Sequence, residues 1–317
     1  MKAFTKRTYG GPKVLQLEEV EMPTVKDHSI LVKVMANSAN PADWHILRGK
    51  PFFARLSFGL FKPKEPILGS DFAGIIKEIG NGVKDFKVGD HVFGEMLGGG
   101  AFAEYACVPT EVCAKIPEHI DFPIMASIPV AGLTAYQALI THGRIKAGES
   151  VLINGASGGV GHFAVQLAKA YGAKVTAVCS LRNTDFVKSL GADKIIAYDK
   201  TNIHQHKDNY DLVIDTHGNL THSDYKRMGK RGVMVGFTTM KHMFSVLMSN
   251  AISKFPLTQF TAQANSDDLN ILASLVQEGK IKVHLENTYP YTKIPEAITF
   301  IEQMRTRGKV AMVWEIK

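Results

Sequence analysis

The residues with the most legible chemistry are three glycines, Gly155, Gly158 and Gly161, set three apart in the stretch NGASGGVG. A turn of this composition lets the backbone approach a charged group that side chains would hold away. Against the dinucleotide pattern Gly-x-Gly-x-x-Gly the turn reads Ala-x-Gly-x-x-Gly, with Ala156 first and Gly158 and Gly161 in the other two places. Gly158 would admit a pyrophosphate, Gly161 would let a helix lie close on a strand, and the helix N-terminus would offer its unbonded N–H groups to phosphate. Gly155, Ser157, Gly159 and Val160 complete the turn and join the candidate cofactor contacts.

Such a turn works only between a strand and a helix, and the flanking sequence supplies both. Val151, Leu152 and Ile153 form the short apolar run of a strand buried on both faces. Val160, Phe163, Ala164, Leu167, Ala168 and Tyr171 recur at helical spacing, Gly172 supplies the stop, and a second strand follows at Lys174 to Val178. In sites for NAD an acidic residue about 20 positions past the glycines holds the ribose hydroxyls. Here the second strand ends in Cys179, Ser180, Leu181, Arg182 and Asn183, with no acid before Asp185. Ser180 can hydrogen-bond a 2′-phosphate and Arg182 can pair with it, which predicts NADPH in preference to NADH.

Alternating strand and helix patterns continue after this unit: a helix at Asp185 to Leu190, strands at Lys194 to Ala197 and Tyr210 to Asp215, a helix at Ser223 to Met228 and a strand at Gly232 to Phe237. This alternation predicts a doubly wound parallel sheet covered by helices. Before it, from Asp121 as N-cap with Pro123 after it, helical patterning runs through Leu133 to Ile140 and stops near Gly143. Residues 1 to about 118 instead hold short strand-like runs broken by glycine and proline, which predicts an all-β domain. The predicted boundaries are 1–120 for the β domain, completed by about 280–317 with a last strand at Lys309 to Ile316, and 121–279 for the nucleotide-binding domain. Met240, Met243, Phe244, Met248, Phe255 and Phe260 form a methionine- and phenylalanine-rich segment, read chiefly as core packing and secondarily as a flap over an apolar acceptor.

With 317 residues, 45% hydrophobic and 21% charged, the chain has the composition of a globular protein of two domains. It has no apolar run of membrane-spanning length and no signal-peptide pattern, and its three scattered cysteines, Cys107, Cys113 and Cys179, fit a reducing compartment; a cytoplasmic protein is expected. The formal net charge of +7 favours an anionic partner, but the densest basic group, Lys226, Arg227, Lys230 and Arg231, has no nucleic-acid motif around it.

Several motifs occur in one order along the whole chain: YGGPKVLQLEEVEMP near the start, Asn40-Pro41-Ala42-Asp43, GSDFAGIIKEIG, VGDHVFG, PVAGLTAYQAL and the glycine turn. In these the sequence resembles the medium-chain dehydrogenase/reductase superfamily, and within it the zinc-free quinone oxidoreductase branch. The resemblance implies a GroES-like all-β N-terminal domain beside a Rossmann domain, a homodimer, and hydride transfer from NADPH to a small hydrophobic quinone or α,β-unsaturated carbonyl. It implies that Asn40 lines the acceptor cleft, where its amide could donate to the carbonyl oxygen. Asp43 follows in the same motif. Where relatives carry a tyrosine this chain has His45, a candidate proton relay that Asp43 could orient. Thr134 matches a threonine near the nicotinamide and Tyr198 a tyrosine beside the adenosine phosphate, and Phe237 ends a later strand as a further cofactor contact. No metal is expected, because the cysteine, the Gly-His-Glu and the four-cysteine lobe of zinc-dependent relatives are all missing. Other readings are an NADP-dependent alcohol or aldehyde dehydrogenase and a non-enzymatic NADPH-binding regulatory or RNA-binding protein.

Overall fold

A computed structural model describes residues 1–314, so Glu315 and Ile316 of the expected last strand lie outside the described residues. In chain order the first part comprises β1 (Lys2–Thr5), β2 (Gln16–Glu19), β3 (Ser29–Ser38), α1 (Pro41–Arg48), α2 (Arg55–Phe58), β4 (Asp71–Ile79), β5 (His91–Glu95), β6 (Tyr105–Pro109), β7 (Cys113–Lys115) and α3 (Phe122–Ala126). The middle part comprises α4 (Pro129–Tyr136), β8 (Ser150–Asn154), α5 (Gly159–Ala170), β9 (Lys174–Cys179), α6 (Thr184–Ser189), β10 (Lys194–Ala197), β11 (Leu212–Asp215), α7 (His222–Met228), β12 (Gly232–Met234), α8 (Met240–Ser253) and β13 (Leu257–Gln259). The chain ends with α9 (Ser266–Gln277), β14 (Leu285–Pro290), α10 (Ile294–Glu302) and β15 (Lys309–Val313).

Two compact units result. One gathers Met1–Leu133, Ala264–Gly279 and the chain from Val283 onward; the other is Thr134–Gln263 with Lys280–Lys282. The division therefore falls after Leu133 rather than at residue 120, and α9 packs against β7 in the first unit. The helical pattern expected from Asp121 to Gly143 is present in segments: α3, then α4 from Pro129, then residues Gln137–His142 wound as a π-helix.

In the first unit β15 enters the sheet between β14 and β3, so the order is β14-β15-β3-β4-β5-β7 with β6 also on β3. The long β3 is buried along nearly all of its length because it has neighbours on both sides. Phe4, Val32, Phe72, Ile76, Phe102, Ile298, Val310 and Met312 share its core. The unit also holds helices: Asn40 is the N-cap of α1 and donates its N–H to the carboxylate of Asp43, with Pro41 in the first turn.

The second unit is the six-stranded parallel Rossmann sheet, ordered β10-β9-β8-β11-β12-β13. Leu152, Val178, Val213, Tyr225, Met234 and Val246 form one of its cores. The Met-rich segment departs from the expected core packing. Val246, Met243 and Leu247 of α8 face inward, while Phe244, Met248 and Ile252, one turn apart, are 58%, 63% and 82% exposed. No helix among the described residues is long and apolar enough to cross a membrane.

Candidate active site

In the Rossmann unit β8 delivers the chain into the glycine turn, and α5 begins immediately after Gly158, its N-cap. Gly155 stands at φ +84°, where a side chain would be strained, and a Cβ there would also come within 2.5 Å of Thr216 Oγ1. At Gly161 a Cβ would lie 2.1 Å from Gly155 O and 2.7 Å from Ala156 Cα, so only glycine lets α5 start so close to the strand. Gly158 differs. A Cβ there meets nothing nearer than Gly155 O at 3.5 Å, so the protein leaves the space above that residue unfilled. A tight Gly161 with open room at Gly158, beside a helix N-terminus, fits a dinucleotide pyrophosphate.

The other expected cofactor residues follow the carboxyl ends of neighbouring strands. Ser180, only 8% exposed, directly follows β9; Tyr198 follows β10 and donates its N–H to Cys179 O; Phe237 lies in the segment after β12, and a Cβ on Gly218 would meet its Cα at 2.3 Å. Ser157 is tied to the same edge, because Asn183 Nδ2 donates to its hydroxyl at 3.0 Å. Arg182 is exposed at that edge, and Thr134 is half-buried on α4. The carboxyl edge of a parallel sheet is where such folds bind ligands.

One acid escapes a linear reading. Asp185 is the first carboxylate past β9 in sequence, yet Asp199, just beyond the adjacent strand β10, accepts from Leu181 N at 2.9 Å. The parallel pairing of Ala197 with Cys179 brings it there. Burial, with Asp199 nearby, pushes the Cys179 thiol up to about 11, so it stays protonated. Asp215, fully buried, accepts from Asn154 Nδ2 and from the amides of His217, Gly218 and Leu220, and so shapes the turn after β11. Of the basic group, Arg227 pairs with Asp224, Lys230 with Asp211 and Arg231 with Glu149.

The first unit holds Asn40, Asp43 and His45. Asn40 is 1% exposed, and its side chain is committed: Nδ2 donates to Asp71 Oδ2 at 2.7 Å and more weakly to Ser38 O at 3.4 Å, while Oδ1 accepts from Lys309 Nζ at 2.5 Å. The amide expected to meet an acceptor's oxygen thus already spends its hydrogens inside the protein. Asp43 accepts from Asn40 N at 2.7 Å and from Ser70 Oγ at 3.0 Å, and Asp71 also accepts from Val130 N and Lys309 Nζ. His45 does not touch Asp43. It stacks on Trp44, its Nδ1 lies 3.2 Å from Lys50 O, and burial lowers its pKa. Nδ1 is therefore the donor, and the neutral ring keeps Nε2 as an acceptor.

Burial dominates the electrostatics of this network. It pushes Asp43 up to about 7 and Glu95 up to about 8, and it holds Lys309 below the ordinary lysine value against the pull of Asp71 and Asp43. A further residue with no sequence motif around it is Lys6, which is 2% exposed, has no hydrogen-bond partner for Nζ and has its pKa lowered by burial to about 8. It lines a cavity of about 360 Å³ with Tyr9, Ile46, Phe58, Glu65 and Leu97. Nothing in the stretch MKAFTKRTY marks Lys6 out, since Lys2 and Arg7 stand on either side of it.

Comparison with known proteins agrees with this anatomy. Residues 26–118 match the alcohol dehydrogenase GroES-like domain, and residues 190–312 match the family described as zinc-binding dehydrogenase. The chain is 35% identical over 315 residues to the chloroplast envelope quinone oxidoreductase homolog of Arabidopsis thaliana, covering 94% of this chain and 93% of that one. It is 34% identical to the NADPH-dependent alkenal/one oxidoreductase of the same plant, covering 98% and 79%. The solved quinone oxidoreductase of Coxiella burnetii superposes with a TM-score of 0.89 at 31% identity, over 99% of both chains. The protein is an oxidoreductase that belongs to the medium-chain dehydrogenase/reductase superfamily, in its quinone oxidoreductase branch.

Proposed function

We propose that the protein is an NADPH-dependent, zinc-independent reductase of quinones and α,β-unsaturated carbonyls. The observation that carries the reading is the glycine turn: a close-packed Gly161 beside unfilled space at Gly158, at the carboxyl end of the Rossmann sheet. Gly155 to Gly161 would hold the pyrophosphate, and Ser180, Arg182 and Tyr198 the adenosine end. The bound nicotinamide supplies a hydride, and the protein's share is to place the acceptor and stabilise the charge that develops on its oxygen. Zinc independence is supported by Lys309, whose ammonium already serves Asn40 and Asp71, the residues in the segments where zinc-dependent relatives keep ligands.

Cofactor choice rests on two opposed charges at one strand end. Arg182 favours a 2′-phosphate, while the Asp199 carboxylate on Leu181 N disfavours it. The test is nicotinamide oxidation in metal-free buffer with duroquinone, an alkenal, cyclohexenone and a simple aldehyde, using NADPH and NADH in parallel. Reduction of the quinone or enone with NADPH preferred is the expected outcome; turnover of the simple aldehyde alone, or recovery only on adding zinc, would refute the proposal. Arg182→Ala should raise the KM for NADPH about tenfold and leave that for NADH nearly unchanged.

A further inference from the structure

We propose that Lys6 is the group that meets the acceptor's oxygen, in the cavity that it lines with Tyr9, Ile46, Phe58 and Leu97. The inference rests on the reductase reading above and supplies what that reading lacks, a donor. Two residues of the motif that would be expected to donate are unable to. Asn40 gives its amide hydrogens to Asp71 and Ser38, and His45 gives its Nδ1 hydrogen to Lys50 O, leaving Nε2 as an acceptor. Lys6 is the reverse case, a donor without an acceptor. Leaving a buried ammonium unbonded is costly, and the cost is relieved when an oxygen arrives beside it.

The surroundings fit a small, flat, apolar molecule with one oxygen. The cavity of about 360 Å³ has two aromatic rings, Ile46 and Leu97 in its wall beside the polar Ser57, Lys64 and Glu65, and Ile46 directly follows His45 on α1. Tyr9 is not a competing donor, because its hydroxyl donates to Gly59 O at 2.5 Å. The charged groups about Lys6 are known: Asp43 and Glu65 pull its pKa up against burial, and Lys64 lines the same cavity. With a pKa of about 8 the amine is largely protonated at neutral pH and gives its proton up readily.

For an enone the step balances as follows. A hydride, which bound NADPH would give up on becoming NADP+, adds to the β-carbon, the π electrons move onto the carbonyl oxygen, and a Lys6 N–H bond breaks as an O–H bond forms. The enol tautomerises to the saturated ketone, and the neutral amine regains a proton from water. A quinone takes the same hydride and proton and leaves as hydroquinone.

Lys6→Met keeps the length of the side chain and removes the charge. Equilibrium dialysis of duroquinone against cofactor-free protein should show Kd at least about tenfold weaker in Lys6→Met, with Lys6→Arg between the two. With NADPH, kcat/KM should fall about 100-fold, and the wild-type decline above about pH 8 should be absent from the variant. The variant should melt no lower than wild type, since the lost ammonium has no hydrogen-bond partner; a melting loss with unchanged duroquinone affinity would show a structural lysine and overturn the inference. Unchanged kcat/KM in Lys6→Met would overturn it while leaving the reductase standing. Lys6-dependent duroquinone binding without turnover of any acceptor would instead sink the reductase reading and keep the oxygen site.

Discussion

The glycine turn of the Rossmann unit and the polar network around Asn40 are built on opposite plans. The turn is local: seven consecutive residues, Gly155 to Gly161, fix its geometry through backbone and absent side chains. The network is assembled from afar, with Asn40, Asp71 and Lys309 brought together although Lys309 lies 269 residues from Asn40 in sequence. A local device tolerates change elsewhere in the chain, whereas a distributed one fails when any contributor is lost.

The largest test of that contrast is Lys309→Met. Removing the ammonium leaves Asp71 and Asn40 Oδ1 without it in a fully buried place, which should cost about 3–5 kcal/mol in denaturant unfolding. Adding Asp71→Asn should recover part of the loss, because the two sites share one interaction. Loss below about 1 kcal/mol would mean that the network is not a unit.

Next come the two glycines. Gly161→Ala forces a Cβ against backbone atoms and should lower stability by about 1–3 kcal/mol while weakening nucleotide binding. Gly158→Ala should leave unfolding unchanged yet weaken NADPH about tenfold, since its Cβ enters space left for the ligand. Equal behaviour of the two in melting and binding would erase the distinction between packing and ligand glycine.

The smallest effect is in pH. Asp43 and Glu95 have folded-state pKa values of about 7 and about 8, above their ordinary 3.8 and 4.5, because of burial. The folded protein then keeps protons that the unfolded chain releases, so stability should fall as pH rises from about 4.5 to about 8. Lys6 acts oppositely and at higher pH, between about 8 and its ordinary 10.5. Glu95→Gln should flatten the decline of melting temperature over pH 5 to 8, and an unchanged slope would place the proton elsewhere.

The same contrast explains what could be read from the sequence. The strand before the glycines, the helix after them and the parallel alternation follow from period and turn chemistry, and all are present in the six-stranded sheet. Helix α1 is legible in Asn40-Pro41-Ala42-Asp43, which carries a cap, a first-turn proline and a third-position acid, although the same residues also carry the polar chemistry of the motif. Asp199 escaped because strand pairing, not sequence distance, sets its position beside Leu181. Lys6 escaped because nothing in composition says that a charged side chain has no partner. The exposed face of α8 escaped because its apolar spacing is the same whether the stripe points inward or out.

The place of β15 between β14 and β3 has a consequence for biosynthesis. As the chain leaves the ribosome β3 emerges early, but it gains that neighbour, and Asn40 gains the Lys309 ammonium, only after 269 further residues have followed Asn40. Thr134–Gln263 requires only three later residues, Lys280–Lys282, to complete its unit. Translation should therefore yield a nearly finished Rossmann unit attached to a β unit that still carries an open edge and buried-site carboxylates awaiting their cation, and the first half to be synthesised would be the last to fold.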